Sequence, residues 1–345
     1  MQDSAAPQAR QAAVPQAAQP DPAPTVAAAP PAVQPRATQP GSAQPPAAGT
    51  PGQQDGQPGR ISRRRRVRVP AILFLATCFT TFLAGTTGGD LLTTLSEPAT
   101  VFANHWSDGL VYMAALMAIL MAHEMGHFLQ AVRYRIPASL PFFLPMPLWR
   151  IGTMGAFIGM RGSDADRRQL FDIGLTGPWA GLAVALPLAW FGMLQAEAIP
   201  RGVDGYFGNP LLFVWLAGWL HPHDPAGWEL IHAGNPMLMA AWVGMLVTGL
   251  NMLPIGQLDG GHVAYALFGR WAHLLAWLMA AAVVLFIILA QQFGWVLMLG
   301  LILLLGVRHP PTRNDTAPLG LARRVIGLAS LSIPIFCLTP IPFSI

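Results

Sequence analysis

The chain has 345 residues, of which 53% are hydrophobic and only 10% charged, where a soluble domain carries about 25% charged side chains. That balance excludes an ordinary soluble globular protein and points to a polytopic membrane protein. The net charge of +4 rests on 20 basic residues, all arginine, that gather beside apolar runs as membrane topology requires, so nucleic acid is not the expected partner.

Residues 1–60 are rich in Ala, Pro, Gln and Gly and nearly devoid of large apolar side chains. Such a segment cannot bury enough surface to offset its ordering entropy, so a disordered tail is expected. The remainder, 61–345, reads as one membrane-embedded domain. Because the first apolar run begins far from Met1, a cleaved signal peptide is not expected. The basic run Arg63-Arg64-Arg65-Arg66, with Arg68, precedes the first span and reads as a cytoplasmic anchor rather than a twin-arginine export signal. Apolar runs at 69–87, 109–132, 170–194, 236–255, 271–290, 294–308 and 324–343 each approach the ~20 residues that a bilayer demands. The expected fold class is therefore an all-α helix bundle of about six to seven spans. The run Pro210–Leu220, with Trp215 and Trp219, reads as interfacial. Cys78 and Cys337 fall inside apolar segments and leave no disulfide framework.

The second span contains His123-Glu124-Met125-Gly126-His127. Ionisable side chains at membrane depth are costly, so three within five residues need a reason. On a helix, His123 and His127 lie one turn apart on one face and can reach the same ion. Glu124, about 100° further round, can act as general base on a water at that ion. The loop that follows, Pro137–Arg161, is rich in proline and then runs Ile151-Gly152-Thr153-Met154-Gly155-Ala156-Phe157-Ile158-Gly159-Met160. Its Thr, Phe and Ile suit a small interfacial strand able to pair with an extended substrate, with a plain re-entrant loop as the alternative. In the third span, Gly177-Pro178-Trp179-Ala180-Gly181 offers small residues for close packing, expected beside the Asp259 segment. Asp172, at the mouth of that span, reads as an interfacial cap.

A catalytic zinc usually takes three protein ligands. Asp259 is the best third candidate, in the segment Asn251-Met252-Leu253-Pro254-Ile255-Gly256-Gln257-Leu258-Asp259-Gly260-Gly261-His262 that closes the fourth span. Its Pro and Gly residues make a broken helix end, tolerated at membrane depth only where it is buried or lines a wet cavity. Asn251 can donate an amide hydrogen bond to a substrate carbonyl, or else join two helices. His262 lies past the glycines and ranks below Asp259 as a ligand. With the tail inside, the inner loops collect most arginines and the outer loops hold Arg201 among several acidic residues. This orientation puts the site towards the cytoplasmic end of the second span, and the all-arginine, alanine-rich composition suggests a bacterial inner membrane.

Taken together, these residues resemble the site-2 protease family of intramembrane zinc metalloproteases. His-Glu-x-x-His at 123–127 and Asn-x-x-Pro with Leu-Asp-Gly, here Asn251, Pro254, Leu258, Asp259 and Gly260, are that family's paired signatures. The segments Gly152–Phe157, Phe171–Gly174, Gly177-Pro178, Gly256–His262 and His309-Pro310-Pro311 through Asn314-Asp315 are similar to the branch that holds the plant chloroplast members and their prokaryotic relatives. The resemblance implies a helix bundle around one buried zinc per chain, held by His123, His127 and Asp259, with Glu124 as the base and Asn251 in substrate binding. The implied reaction is hydrolysis of peptide bonds in or near transmembrane segments of membrane proteins within the lipid bilayer. A transporter, or a membrane zinc hydrolase acting on something other than peptides, is the alternative that the residues leave open.

Overall fold

The computed structural model describes residues 63–87, 98–147, 150–195, 208–220, 235–291 and 306–339, with a few positions between 295 and 303. Four helices are long and apolar enough to cross a membrane, by length and composition. They are α1 (Arg63–Thr87), α2 (Pro98–Arg133), α3 (Arg167–Gln195) and α7 (Trp271–Ala290). Between α2 and α3 lie two short strands, β1 (Phe142–Pro145) and β2 (Thr153–Phe157). After α3 come the shorter helices α4 (Leu211–Leu220), α5 (Pro236–Asn251) and α6 (Asp259–Phe268). Two short helices, α8 (Leu321–Ser330) and α9 (Ile333–Cys337), end the described chain.

The core is built where α2, α3 and α5 meet. Tyr112, Leu116, Ile119 and Leu120 of α2 pack with Ala185, Ala189 and Met193 of α3 and with Leu238, Trp242 and Met245 of α5. α5 is buried along nearly its whole length, and its 16 residues reach only ~24 Å, short of a ~30 Å hydrocarbon layer. It is therefore the axis of the bundle rather than one of its long walls. Its start is fixed by Asn235, whose Oδ1 accepts from Leu238 N at 3.0 Å while its Nδ2 donates to the carbonyl of Gly192 on α3. α2 and α3 cross backbone to backbone. A Cβ on Gly126 would lie 2.5 Å from Thr176 O, and Thr176 Oγ1 donates to Gly126 O across the same crossing. Small residues permit such approach in apolar surroundings, where van der Waals contact rather than water drives association.

The strand expected within 151–160 is present as β2. It pairs antiparallel with β1, Phe142 opposite Phe157 and Phe143 opposite Ala156, with a bulge before Pro145. The rings of Phe142 and Phe157 stack at 5.6 Å. Gly152, at φ +75°, brings the hairpin turn against the backbone of α1, where a Cβ would meet Thr80 O at 2.6 Å. Tyr112 OH donates to Ile151 O and ties the same turn to α2.

The C-terminal part departs from the expected pattern. The sixth apolar run, 294–308, lies largely outside the described residues. The seventh, 324–343, is not one continuous span: a turn at Leu331–Ser332 separates α8 from α9. Pro334 is the physical reason, because it has no N–H for the carbonyl of Ser330 and its ring crowds that carbonyl, while it suits the first turn of a new helix. α8 instead lies against α3 and α6, with Trp179 Nε1 donating to Ser330 Oγ and Gly327 seated on the ring of Phe171. Asp172 is not a cap either. It accepts both Nε and Nη2 of Arg323 at 2.8 and 2.9 Å and the hydroxyl of Tyr134, joining the ends of α2, α3 and α8.

Candidate metal centre

The second-span histidines are both seated in notches on α3. Gly181 faces His123, where a Cβ would lie 3.1 Å from Nδ1. Gly177 faces His127, where a Cβ would lie only 2.0 Å from Nε2. The Gly177–Gly181 pair thus packs directly on the histidines that face Asp259. Gly174, one turn earlier, is the residue beside Asp259 O, at 3.2 Å from its would-be Cβ.

Asp259 arrives from the other side. After α5 ends at Asn251, the chain turns back through Met252–Leu258 and restarts at Asp259 as α6. The turn closes backbone on backbone: a Cβ on Gly260 would meet Met252 O at 2.0 Å, and one on Gly261 would meet Gly256 O at 2.3 Å. This is the broken helix end that the sequence foretells, and it holds the carboxylate at the depth of the histidines.

His123, His127 and Asp259 come together, their ligand atoms within 4.8 Å of one another. Asp259 Oδ2 lies 3.0 Å from His123 Nε2 and 3.2 Å from His127 Nε2. For bonds of about 2.0–2.1 Å in a tetrahedron, ligand atoms stand roughly 3.3 Å apart, so the spacing suits one ion. His127 Nδ1 faces the carbonyl oxygen of Ile173 at 2.7 Å, and a carbonyl only accepts, so Nδ1 holds a proton and Nε2 is the nitrogen turned to the centre. Nε2 faces a carboxylate oxygen, an acceptor, so a proton or a metal ion lies between them. Two imidazoles with one carboxylate are the donor set that zinc takes in place of that proton.

Glu124 is 3% exposed and makes no hydrogen bond or ion pair among the described residues. A buried carboxylate without a partner is costly, which marks it for chemistry rather than structure. Asn251 closes another wall, its Nδ2 3.4 Å from His123 Nε2. β2 approaches from the same side, with the position of Gly155 3.7 Å from Val247 of α5, one turn before Asn251.

His262 is not in this cluster. Its Nδ1 lies 2.7 Å from His309 Nε2, on whose ring Tyr265 stacks at 4.4 Å. Burial and the neighbouring His309 hold His262 down to about 3, and burial lowers His309 to about 4, so both rings are neutral near pH 7. Burial, with donation to Asp315, pushes the Tyr265 hydroxyl up to about 12. The segment from His309 to Leu319 forms a strap on α6 and the start of α3, through His262–His309, Tyr265–Asp315 at 3.0 Å and Arg313 N to Ala165 O at 2.9 Å. Sequence reasoning did not find Gly174, the Ile173 carbonyl or His309 as neighbours of the site. A glycine recurring at turn spacing through 174, 177 and 181 was the signal available for the first of these.

Comparison with known proteins bears on this geometry. The description of peptidase family M50 matches residues 111–291, a little over half of the chain and a range that contains all five candidate site residues. The chain belongs to peptidase family M50. Relatives of this M50 chain include "Probable zinc metalloprotease EGY1, chloroplastic" from Oryza sativa subsp. japonica, 31% identical over 66% of this chain and 40% of the relative. The protein of the same name from Arabidopsis thaliana is 31% identical over 66% and 42%. "Probable zinc metalloprotease EGY2, chloroplastic" from Arabidopsis thaliana is 32% identical over 47% and 29%. The chain thus spans about two-fifths of the length of the first two curated relatives. No solved structure matches it. Membership in M50 favours hydrolysis over the transporter alternative.

Proposed function

We propose that this protein is an intramembrane zinc endopeptidase of the His-Glu-x-x-His type that hydrolyses peptide bonds in or near transmembrane segments of membrane proteins. The observation that carries the reading is the convergence of His123 Nε2 and His127 Nε2 of the long apolar helix α2 with Asp259 Oδ2 of α6. His123, His127 and Asp259 are the ligands of one zinc per chain. When bound, zinc supplies a Lewis acid that polarises a carbonyl and makes water nucleophilic near neutral pH. Glu124 takes the proton from the attacking water and passes it to the leaving amine, a role its unpartnered carboxylate supports. Asn251 donates its amide to the substrate carbonyl, and β2 offers backbone pairing to a substrate that has unwound into an extended strand.

The wider reading has the domain 61–345 cross a bacterial inner membrane several times, with the four long helices as crossing segments and α5 buried between them. The tail 1–60 is a cytoplasmic segment, and the site opens towards the cytoplasm. Arginine placement and composition support this orientation.

The test is zinc content and cleavage of a single-span reporter by the purified protein in liposomes, for the parent and for Glu124→Gln. About one zinc per chain in both is expected, with cleavage falling at least 10²-fold in Glu124→Gln. Folded parent without zinc, or a Glu124→Gln variant that cleaves like the parent, overturns the proposal.

A further inference from the structure

Three histidines sit in three successive glycine notches of α3. His123 faces Gly181 and His127 faces Gly177, while the Cβ of His262 lies 2.9 Å from where a Cβ on Gly174 would be. His262 is also three residues after Asp259 in α6, on the same face of that helix. The imidazole therefore stands about one helical turn from the ligand set, and the ligand set does not use it.

Its hydrogen bonds fix its tautomer. His309 Nδ1 faces the carbonyl oxygen of Pro310, which only accepts, so that nitrogen holds the proton and His309 Nε2 keeps a lone pair. His309 Nε2 faces His262 Nδ1 at 2.7 Å, so His262 Nδ1 is the donor. The remaining nitrogen, His262 Nε2, is then an acceptor, with no partner among the described residues. His262 is partly rather than fully buried, so the ring is not sealed in the core. A rigid, neutral acceptor has been oriented beside the metal centre by a residue 47 positions away.

We propose that His262 is a substrate-binding residue, its Nε2 accepting a hydrogen bond from a backbone N–H of the polypeptide substrate next to the scissile bond. The inference rests on the proteolytic reading above. A membrane helix that unwinds for cleavage exposes N–H donors that apolar surroundings cannot satisfy, and each needs an acceptor. His309 acts through His262 and is a positioning residue.

Two near-isosteres separate this role from mere support of the fold. His262→Asn puts an amide N–H where Nδ1 was, preserving the bond to His309, and deletes the acceptor. His262→Gln puts an amide oxygen where Nε2 was and deletes the bond. With the liposome reporter assay, His262→Asn is expected to keep parental zinc and melting temperature while kcat/KM falls roughly tenfold, mostly through KM. His262→Gln keeps an acceptor but loses its orientation by His309, so kcat/KM is expected to fall by about threefold, clearly less than in His262→Asn. Parental kcat/KM in His262→Asn, or equal falls in both variants, overturns the inference. Where His262→Asn does not fold, Gln is compared with Met at the same position: restoration of about fivefold or more by Gln supports the role, and equal rates refute it. A folded, zinc-loaded parent that does not cleave the reporter overturns the proteolytic reading, and this inference with it.

Discussion

Replacing Gly177 by alanine tests the seat of His127 directly. The added Cβ would lie 2.0 Å from His127 Nε2, 2.3 Å from Cε1 and 2.4 Å from Cδ2, flat against the ring, whereas ordinary contact begins at 3.4 Å. The ring must retreat by about 1.4 Å (3.4 minus 2.0), while a zinc ligand tolerates only about ±0.2 Å. Such a shift also breaks the Nδ1 bond to Ile173 that orients the lone pair. Zinc affinity is expected to fall by about 100-fold or more, since loss of an orienting partner alone costs 10- to 100-fold. Helix content should hold, because alanine is favoured over glycine within a helix by about 1 kcal/mol. Gly181→Ala is the control. Its Cβ would sit 3.1 Å from His123 Nδ1, which a movement of a few tenths of an ångström relieves, so affinity should stay within about tenfold. The assay is chelator competition on protein in detergent, with circular dichroism to report the fold. Parental zinc affinity in a folded Gly177→Ala variant would refute the reasoning.

Other outcomes follow from the same contacts. Asp172→Asn weakens the two-pronged bond to Arg323, whose side chain is 39% exposed, so screening limits the loss to about 1 kcal/mol; an unchanged melting temperature would show that the tie is idle. Acid should weaken the strap, because His262 and His309 titrate near 3 and 4 when folded but near 6.5 when unfolded. The unfolded chain then binds more protons between those values, so this contribution is complete above pH 6.5 and lost as pH falls towards 4, on the order of 3 kcal/mol for each ring. Thermal melts of the parent and His309→Gln over that range should converge as pH falls; parallel curves would count against it. Inserting leucines near the cut of a cleaved substrate should slow turnover, because they strengthen a helix that has to unwind, and an unaltered rate would mean that unwinding is not limiting.

The residues of the candidate site were legible because membrane depth makes them expensive. His123, Glu124, His127 and Asp259 stand out against apolar neighbours, and the Pro and Gly residues around Asp259 announce a broken helix. The strand at 153–157 was legible from its Thr and Phe, though not its partner Phe142–Pro145, which precedes it across a proline-rich turn. Hydropathy misread 324–343 as one span, since a window average counts Val, Ile and Leu and overlooks the break that Pro334 imposes. The pairing of Asp172 with Arg323, 151 residues later, leaves no local trace at either position. His309 is similar: alone in a stretch of prolines it looks like a loop residue, and only the fold brings it to His262.

The crossing at Gly126 and Thr176 lies within one turn of both His123 and His127, with no side chain between the two backbones. A roll of α2 by one residue turns it about 100° and would drive a side chain into that seam. The two helices are therefore interlocked beside His123 and His127. A bulky polypeptide cannot part them to reach the centre. Its doorway has to lie between other walls, on the flank held by α1 and the hairpin or on the flank held by α6 and its strap. Cross-links across the α2–α3 seam should leave turnover intact, whereas a staple on one of the two flanks, the one that holds the doorway, should stop it.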